Sequence, residues 1–464
     1  MANRDHTRLI HELTDEYTRR FPRSATLHNE AELRMIDGGN HLVRLMEPFP
    51  FRLGQSHGAY VCDVDDHKIL DYWQGHMANI LGHNPPQITQ PLAEALQDGW
   101  GLQSGFADEL QIEVARLIAE RTGAERVRFT TSGTLCTMYA IMLCRSFTGR
   151  SEVLKIGGGW HGAQPWALKG ISVKQGSYDH IESEGLPAHI DSETLVTRYN
   201  DVQALEDVFA KHGDRIACFI MEPWMGSGGS MPATPEYMRA ARDLTRKYGA
   251  MLILDEVIAG FRFRAGNLGA MYGVQPDLTT MAKIIGGGMP VAAVAGRADI
   301  LALCGRKNGE GRRVRFDGGT YSAHPLSLLA SKLMIEYLVA HEDEVYPRIA
   351  AMGERLRKGI EKVFADRGIL ACCTGHPNSA VPGSSLASVH FPATNDLKLS
   401  CPDQVGNPAL SDITLRETVM KLGLLVQDVN VSHGIGAVSM AHSDADIART
   451  LEAVDHVAKR IASE

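Results

Sequence analysis

The 464-residue chain has no excess of positive charge: 47 Lys and Arg stand against 55 Asp and Glu, a formal net charge of -8. Binding nucleic acid by neutralising its phosphates needs a basic face, and no segment supplies one, so no nucleic-acid partner is expected. Long apolar runs are also missing. None approaches the roughly 18 residues of a membrane helix, and the opening MANRDHTRLIHELTDEYTRRF is too charged for a secretory signal. The 8 cysteines are scattered, with one adjacent pair, Cys372-Cys373, and no C-x-x-C or Cys/His ligand spacing. That excludes a disulfide framework and a zinc site, leaves no expected metal, and reads as a cytoplasmic protein. G-x-G-x-x-G in a strand-turn-helix context and G-x-x-x-x-G-K-[ST] are both absent, which argues against dinucleotide and P-loop binding.

What is present suits an enzyme. Hydrophobic content of 44% with 22% charged residues is that of a folded globular chain, and the length allows a large core. A first amphipathic helix is expected over residues 5–20, from the spacing of Leu9, Ile10, Leu13 and Tyr17. A hairpin is expected over 58–72, turning at Asp66-His67. From about 85 to 325, helical windows (86–98, 108–122, 134–147, 201–212, 234–248) alternate with short apolar runs at 127–130, 153–156, 216–221 and 251–254. Strands separated by helices imply a mostly parallel sheet covered on both faces, with ligands at the strands' carboxyl ends. After 326, helical windows at 326–340, 344–365 and 443–462 flank an irregular part, with 392–412 the best candidate for a loop or flap. The organisation expected is an α/β protein: a large domain at 76–325, and a smaller α+β domain from segments 1–75 and 326–464.

The chain is organised around residues 251–297, MLILDEVIAGFRFRAGNLGAMYGVQPDLTTMAKIIGGGMPVAAVAGR. Asp255 ends an apolar run that reads as a buried strand. Lys283 sits between apolar residues and just before three glycines, where backbone can approach a ligand and a lysine can form a Schiff base. Each alone reads more readily as a turn aspartate and a surface lysine. Ser132-Gly133-Thr134 follows a strand and opens a helix, an anion site suited to phosphate or an ordinary N-cap. Trp160 and His161 follow three glycines after another strand, and Trp160 can stack on a flat ring or simply pack. Glu222 ends a further strand, Gly318-Gly319-Thr320 forms a glycine-hydroxyl loop, and Arg44 lies in the glycine-led loop 38–44. An arginine there can fork onto a carboxylate or remain solvated. Together these residues fit one cofactor, pyridoxal 5'-phosphate. It needs a lysine for its aldehyde, an acid at its ring nitrogen, a phosphate cup and a stacking face.

At this point the sequence resembles the subgroup III (class III) aminotransferases of fold type I, and within them the glutamate-1-semialdehyde 2,1-aminomutase branch. The resemblance runs from about Gly38 to the C-terminus, and its most specific pieces are LILDEVIAGFR, PDLTTMAKIIGGGMPVAAVAGR, SGT with FTGR at 147–150, and SMAHSDADI. It implies that Lys283 binds the cofactor aldehyde and shuttles the substrate proton, that Asp255 pairs with the ring nitrogen, and that Val257 packs on one ring face. Trp160 stands where the family has Tyr or Phe, next to His161. Gly133 and Thr134 are implied to hold the phosphate, with Thr320 reaching it from the neighbouring subunit of a homodimer whose site lies at the interface. Arg44 matches a position that binds a substrate carboxylate. The pattern breaks at Leu135-Cys136, where the family has Glu-Ala, and at His41, His76 and Gly434, the last preceded by His433. These departures are expected to line the substrate side. The implied activity is transamination between a small-molecule amino donor, an amino acid (a β-amino acid among the candidates) or related amine, and a keto acceptor. Isomerisation or racemisation on the same scaffold stays open.

Overall fold

The computed structural model describes residues 4–306, 313–374 and 384–464. Seven short runs form its main sheet: β1 Arg126–Thr130, β2 Glu152–Ile156, β3 Thr194–Thr197, β4 Ile216–Met221, β5 Met251–Asp255, β6 Leu278–Met281 and β7 Ala292–Gly296. Their order across the sheet is β1-β7-β6-β5-β4-β2-β3. Only β7 runs against its neighbours in this sheet. The sheet is thus mostly parallel, as the alternation of strands and helices implies. Here the link between β6 and β7, residues 282–291, is shorter than the dozen or so residues a parallel crossover needs.

Side-chain alternation, with period two, decides what each face buries. Leu252 and Leu254 pack with Phe219, Met221 and the helices Val202–His212 and Pro235–Tyr248. Ile253 points the other way, to Cys218, Ile220 and the helix Gly133–Thr148. Each large apolar side chain so buried contributes about 1.5–3 kcal/mol. The remaining expected helices in this region form at Pro86–Gln97 and Glu109–Thr122. With β7 reversed and the rest aligned, the carboxyl ends of β1, β2, β4, β5 and β6 meet the start of β7 at one edge of the sheet.

A second sheet joins the two ends of the chain. Leu53–His57, Tyr60–Asp63 and Lys68–Asp71 are antiparallel, and Val429–Asn430 adds to Lys68–Asp71 in parallel. The first helix, Thr7–Arg20, buries Leu9, Leu13 and Tyr17 in the same core as the long helices Glu342–Ala365 and Asp444–Ala462. The stretch 392–412 is mostly irregular and carries the short helix Pro402–Gly406. Among the described residues no helix is long and apolar enough to cross a membrane, and no group of three or more His, Cys, Asp or Glu is placed to hold a metal ion.

Candidate active site

The strand ends enclose a cavity of about 260 Å³. Asp255, the last residue of β5, lines it and is otherwise buried. Its Oδ1 accepts from Thr280 Oγ1 at 3.0 Å and from Val257 N at 3.2 Å, and its Oδ2 accepts from His161 Nδ1 at 2.7 Å. Thr280 is the register partner of Asp255 on β6, so sheet pairing itself supplies one of these bonds. Burial lowers the His161 pKa from its ordinary value, although Asp255 pulls it up. A neutral imidazole donating through Nδ1 fixes the carboxylate in direction. His161 Nε2 is buried and has no hydrogen-bond partner among the described residues.

Glu222 follows β4 and receives backbone N–H bonds on both oxygens, from Trp160 N at 3.1 Å and Gly226 N at 2.9 Å. Burial, with the nearby charge of Asp255, pushes its carboxyl up to about 8. Lys283 follows β6 in a left-handed backbone conformation, φ 51°, which a side-chain-bearing residue adopts at a cost of roughly 1–3 kcal/mol. Burial pulls its amine down to about 8, against the charges of Asp255 and Glu222. Observed strain of this kind concentrates at functional sites.

At another wall, Ser132 caps the helix Gly133–Thr148 by accepting from Leu135 N at 3.3 Å. The N–H groups of Gly133 and Thr134 belong to the first turn, where no intrahelical partner exists. Gly162 has φ +83°, and a Cβ there would lie 2.6 Å from Thr134 Cα, so only glycine lets the Trp160-His161 turn close onto this helix start. Trp160 lines the cavity and is 40% exposed. Val257 lines it as well, with Ile258 and residues 289–291, which the sequence reading passed over.

The residues expected on the substrate side divide into two groups, and none of them lines this cavity. Arg44 Nε donates to His76 Nε2 at 3.1 Å, and the His41 and His76 rings meet edge-on at 4.9 Å. His76 sits in a left-handed turn: Gln74, Gly75, His76 and Met77 all have φ between 46° and 65°. Asp71 holds that turn through the N–H groups of Trp73 and Gln74, at 3.0 and 2.9 Å, and Arg262 binds the Met77 carbonyl. Burial, then the charges of Arg44, His41, Lys283 and His433, lowers His76 to about 4, so it is a neutral acceptor for Arg44. His433 lines a separate cavity and lies 3.4 Å from Glu417. Thr320 is exposed and outside the cavity of its own chain. Cys136 corrects the expectation for the Leu135-Cys136 departure. It is fully buried under the helix, with Sγ 3.2 Å from Thr130 Oγ1, because its position in the helix faces the sheet and not the cavity.

Residues 43–370 match the family model for class-III aminotransferases. Among curated relatives, a glutamate-1-semialdehyde 2,1-aminomutase of Methanocella arvoryzae is 36% identical over 341 residues, 73% of this chain and 78% of that protein. Among solved structures, an omega-transaminase from Sphaerobacter thermophilus superposes with a TM-score of 0.84 at 28% identity, covering 95% of this chain and 98% of the other. A beta-phenylalanine aminotransferase from Variovorax paradoxus gives 0.84 at 28% identity, with 97% of each chain covered. The chain therefore belongs to the class-III aminotransferases, enzymes that work through pyridoxal phosphate.

Proposed function

We propose that this protein is a transaminase for carboxylate-bearing amino compounds, with pyridoxal phosphate seated between Gly133-Thr134 and Asp255 and bound through Lys283. The residues present fit that cofactor. An ionised carboxylate offers about four acceptor positions, and three of those on Asp255 are filled by protein donors, which leaves room for a ring N–H. Free N–H groups at the helix start suit a phosphate dianion. Trp160 and Val257 line the space between, as two faces for a flat ring. The cofactor supplies an aldehyde for amine exchange and a ring that takes up the electron pair released when a proton leaves the substrate carbon.

The chain's own groups do the rest. Asp255 holds a proton at the ring nitrogen and is itself held by His161 and Thr280. Lys283, with its amine lowered to about 8, has a neutral fraction near pH 7 and can take the proton from the substrate carbon and return it elsewhere. Arg44 grips the substrate carboxylate. The observation that carries this substrate reading is the Arg44–His76 bond, which fixes one edge of the guanidinium and leaves its terminal nitrogens for a bidentate partner. The likeness to a beta-phenylalanine aminotransferase puts β-amino acids among the donors to try first.

A homodimer with the site at its interface is part of this proposal. The exposure of Thr320 outside its own cavity supports it, since such a residue is free to serve a neighbour's phosphate. The pairing of Val429–Asn430 with Lys68–Asp71 supports a small domain made from 1–75 and 326–464 around a cofactor domain at 76–325. A cytoplasmic location is supported by eight cysteines that are all free.

The identity to named aminomutases favours isomerisation as the second reading. Single-turnover mixing with α-amino acids, β-amino acids and amines, without any acceptor, separates the two. A transaminase releases one equivalent of oxo product per site and stops. Recovery of an isomer, with continued turnover, replaces this proposal with the second.

A further inference from the structure

The edge of the main sheet opposite the candidate active site carries a cavity of about 400 Å³. Its walls are the start of β5 at Met251, the residues leading into β6, the residue after the reversed β7, and the C-terminal end of the helix Pro235–Tyr248. Four arginines meet there. Arg242, Arg246 and Arg297 line the cavity, and Arg150, from the FTGR segment, reaches its rim: a Cβ on Gly249, which also lines the cavity, would lie 3.5 Å from Arg150 Nη2. Two carboxylates offset part of this charge, and both are already engaged. Asp277 accepts from Arg242 Nη1 at 2.9 Å, from Arg297 Nη1 at 2.8 Å and from Leu252 N at 2.8 Å. Asp299 takes the other edge of Arg297, from Nε at 3.1 Å and Nη2 at 2.6 Å.

Arg297 thus has all three donor nitrogens bound, and Arg242 does not. Arg242 is only 7% exposed. Its Nη1 donates to Asp277 and to the Gln275 carbonyl at 3.2 Å, but its Nε is buried with no hydrogen-bond partner among the described residues. Its Nη2 makes no hydrogen bond to them either and is not sealed from solvent. The Nε and Nη2 hydrogens leave a guanidinium side by side, so a whole edge of the fork, the kind that grips two oxygens at once, lacks an acceptor. Unmet donors on a buried charged group are costly. Arg246 follows one helical turn later, exposed and with no hydrogen bond or ion pair among the described residues. Like charges at this spacing repel. Burial first, then Arg246 and Arg297, disfavours the charge of Arg242 against the pull of Asp277. Arg150 donates through Nη1 alone, to the carbonyls of Gly213, Ile216 and Tyr248 at 3.2, 3.0 and 2.8 Å. Cations suit the C-terminal carbonyls of a helix, which accounts for the charge of this cluster but not for the unpaired edge of Arg242.

We propose that this cavity is a second anion site, on the far edge of the sheet from the cofactor, and that it takes inorganic diphosphate, with one phosphoryl group on the Nε/Nη2 edge of Arg242 and the other met by Arg246 and Arg150 Nη2. A carboxylate has oxygens for the Arg242 edge only, whereas a diphosphate has oxygens and charge for all three arginines. No aromatic side chain among the described residues lines the cavity to stack a base, which favours the free ion over a nucleotide. The site is independent of which reaction the cofactor performs.

Calorimetric titration of the holoenzyme with inorganic diphosphate at constant ionic strength tests it, with the cofactor absorbance followed in parallel. One ion should bind per chain, at least about tenfold more tightly than acetate, the worth of one charged contact, and the absorbance should not change. Arg246→Met should weaken diphosphate by about tenfold, and so should Arg242→Lys, which keeps a charge beside Asp277 but removes the fork. Arg239→Met, on the same helix but paired with Glu236 at 3.2 Å, should alter the affinity by less than about twofold. Adenosine diphosphate should bind no more tightly than the free ion. The proposal is overturned by absent binding, by equal affinity for acetate, by equal losses in Arg246→Met and Arg239→Met, by loss of cofactor absorbance on binding, or by a tenfold gain from the adenosine. Should Arg242→Lys not fold, Arg246→Met, at an exposed side chain, decides it.

Discussion

The residues proposed for the cofactor and those proposed for the substrate are held by opposite means. On the cofactor side, Asp255 and Glu222 are buried at strand ends and His161 in the turn after β2, and they are tied to backbone, to Thr280 or to each other by bonds of 2.7–3.2 Å. The residues proposed for the substrate, none of which lines that cavity, are held differently: Arg44 and His41 are exposed, while His76 and His433 sit on left-handed backbone. Strand ends are positioned by the whole sheet and cannot drift, which suits groups that must meet one fixed ring. Loop residues are held by a few local bonds, such as those of Asp71 to Trp73 and Gln74 at the start of the 74–77 turn, and can be exchanged without disturbing the sheet. On the proposed function, the chemistry is set by the sheet and the choice of substrate by these loops.

That contrast predicts unequal losses. Lys283→Ala should remove turnover for every substrate, by at least about 10⁴-fold, together with the visible absorbance of lysine-bound cofactor; a variant that keeps even a hundredth of the activity would break the assignment. Asp255→Asn comes next. It keeps the shape and the Thr280 bond but loses the charge that holds a proton at the ring nitrogen, so kcat should fall by about 10³-fold for acids and amines alike. A loss confined to one substrate class would move Asp255 from the cofactor side to the substrate side.

The same contrast explains what could be read from the sequence. Asp255 and Lys283 were legible because buried strands leave apolar runs bounded by turns, and Ser132 because a helix start has a chemical signature. β7, AAVAG, was not read as a strand. Alanine and glycine are poor strand formers; here Ala292 packs in the core of the helix Gly133–Thr148, Ala293 and Ala295 face the opposite core, and a Cβ at Gly296 would lie 2.3 Å from the Asp277 carbonyl oxygen. The part played by Thr280 was hidden as well, since its bond to Asp255 depends on the register between β5 and β6, which no local pattern records. The left-handed turn at 74–77 was invisible for a different reason: only one of its residues is glycine, and bonds from Asp71 and Arg262 hold the rest.

On the rim, Arg44→Ala should raise KM for carboxylate-bearing donors by about 10–100-fold, the range for a lost charged hydrogen bond. Simple amines should be unaffected. Equal effects on both classes would remove Arg44 from substrate recognition and leave it a partner of His76 only. Because His76 is neutral down to about pH 4, its bond to Arg44 should contribute no change in that KM between pH 5.5 and 8.

The smallest effect tests the buried side again, through pH. Lys283 has its amine lowered to about 8 by burial, so its reactive neutral form is reached as pH rises through 8 and not through 10.5. Capture of pyridoxal phosphate by the cofactor-free protein, followed by absorbance, should run at about a tenth of its plateau rate at pH 7 and level off above pH 9. A rate still climbing toward pH 10 would mean that the lysine is more solvated than its place among apolar side chains implies. The depressed value has a direct consequence for the reaction. At pH 7 a lysine at about 8 offers roughly 300-fold more neutral amine than one at its ordinary value, and the desolvation responsible comes from the same packed strand ends that fix Asp255.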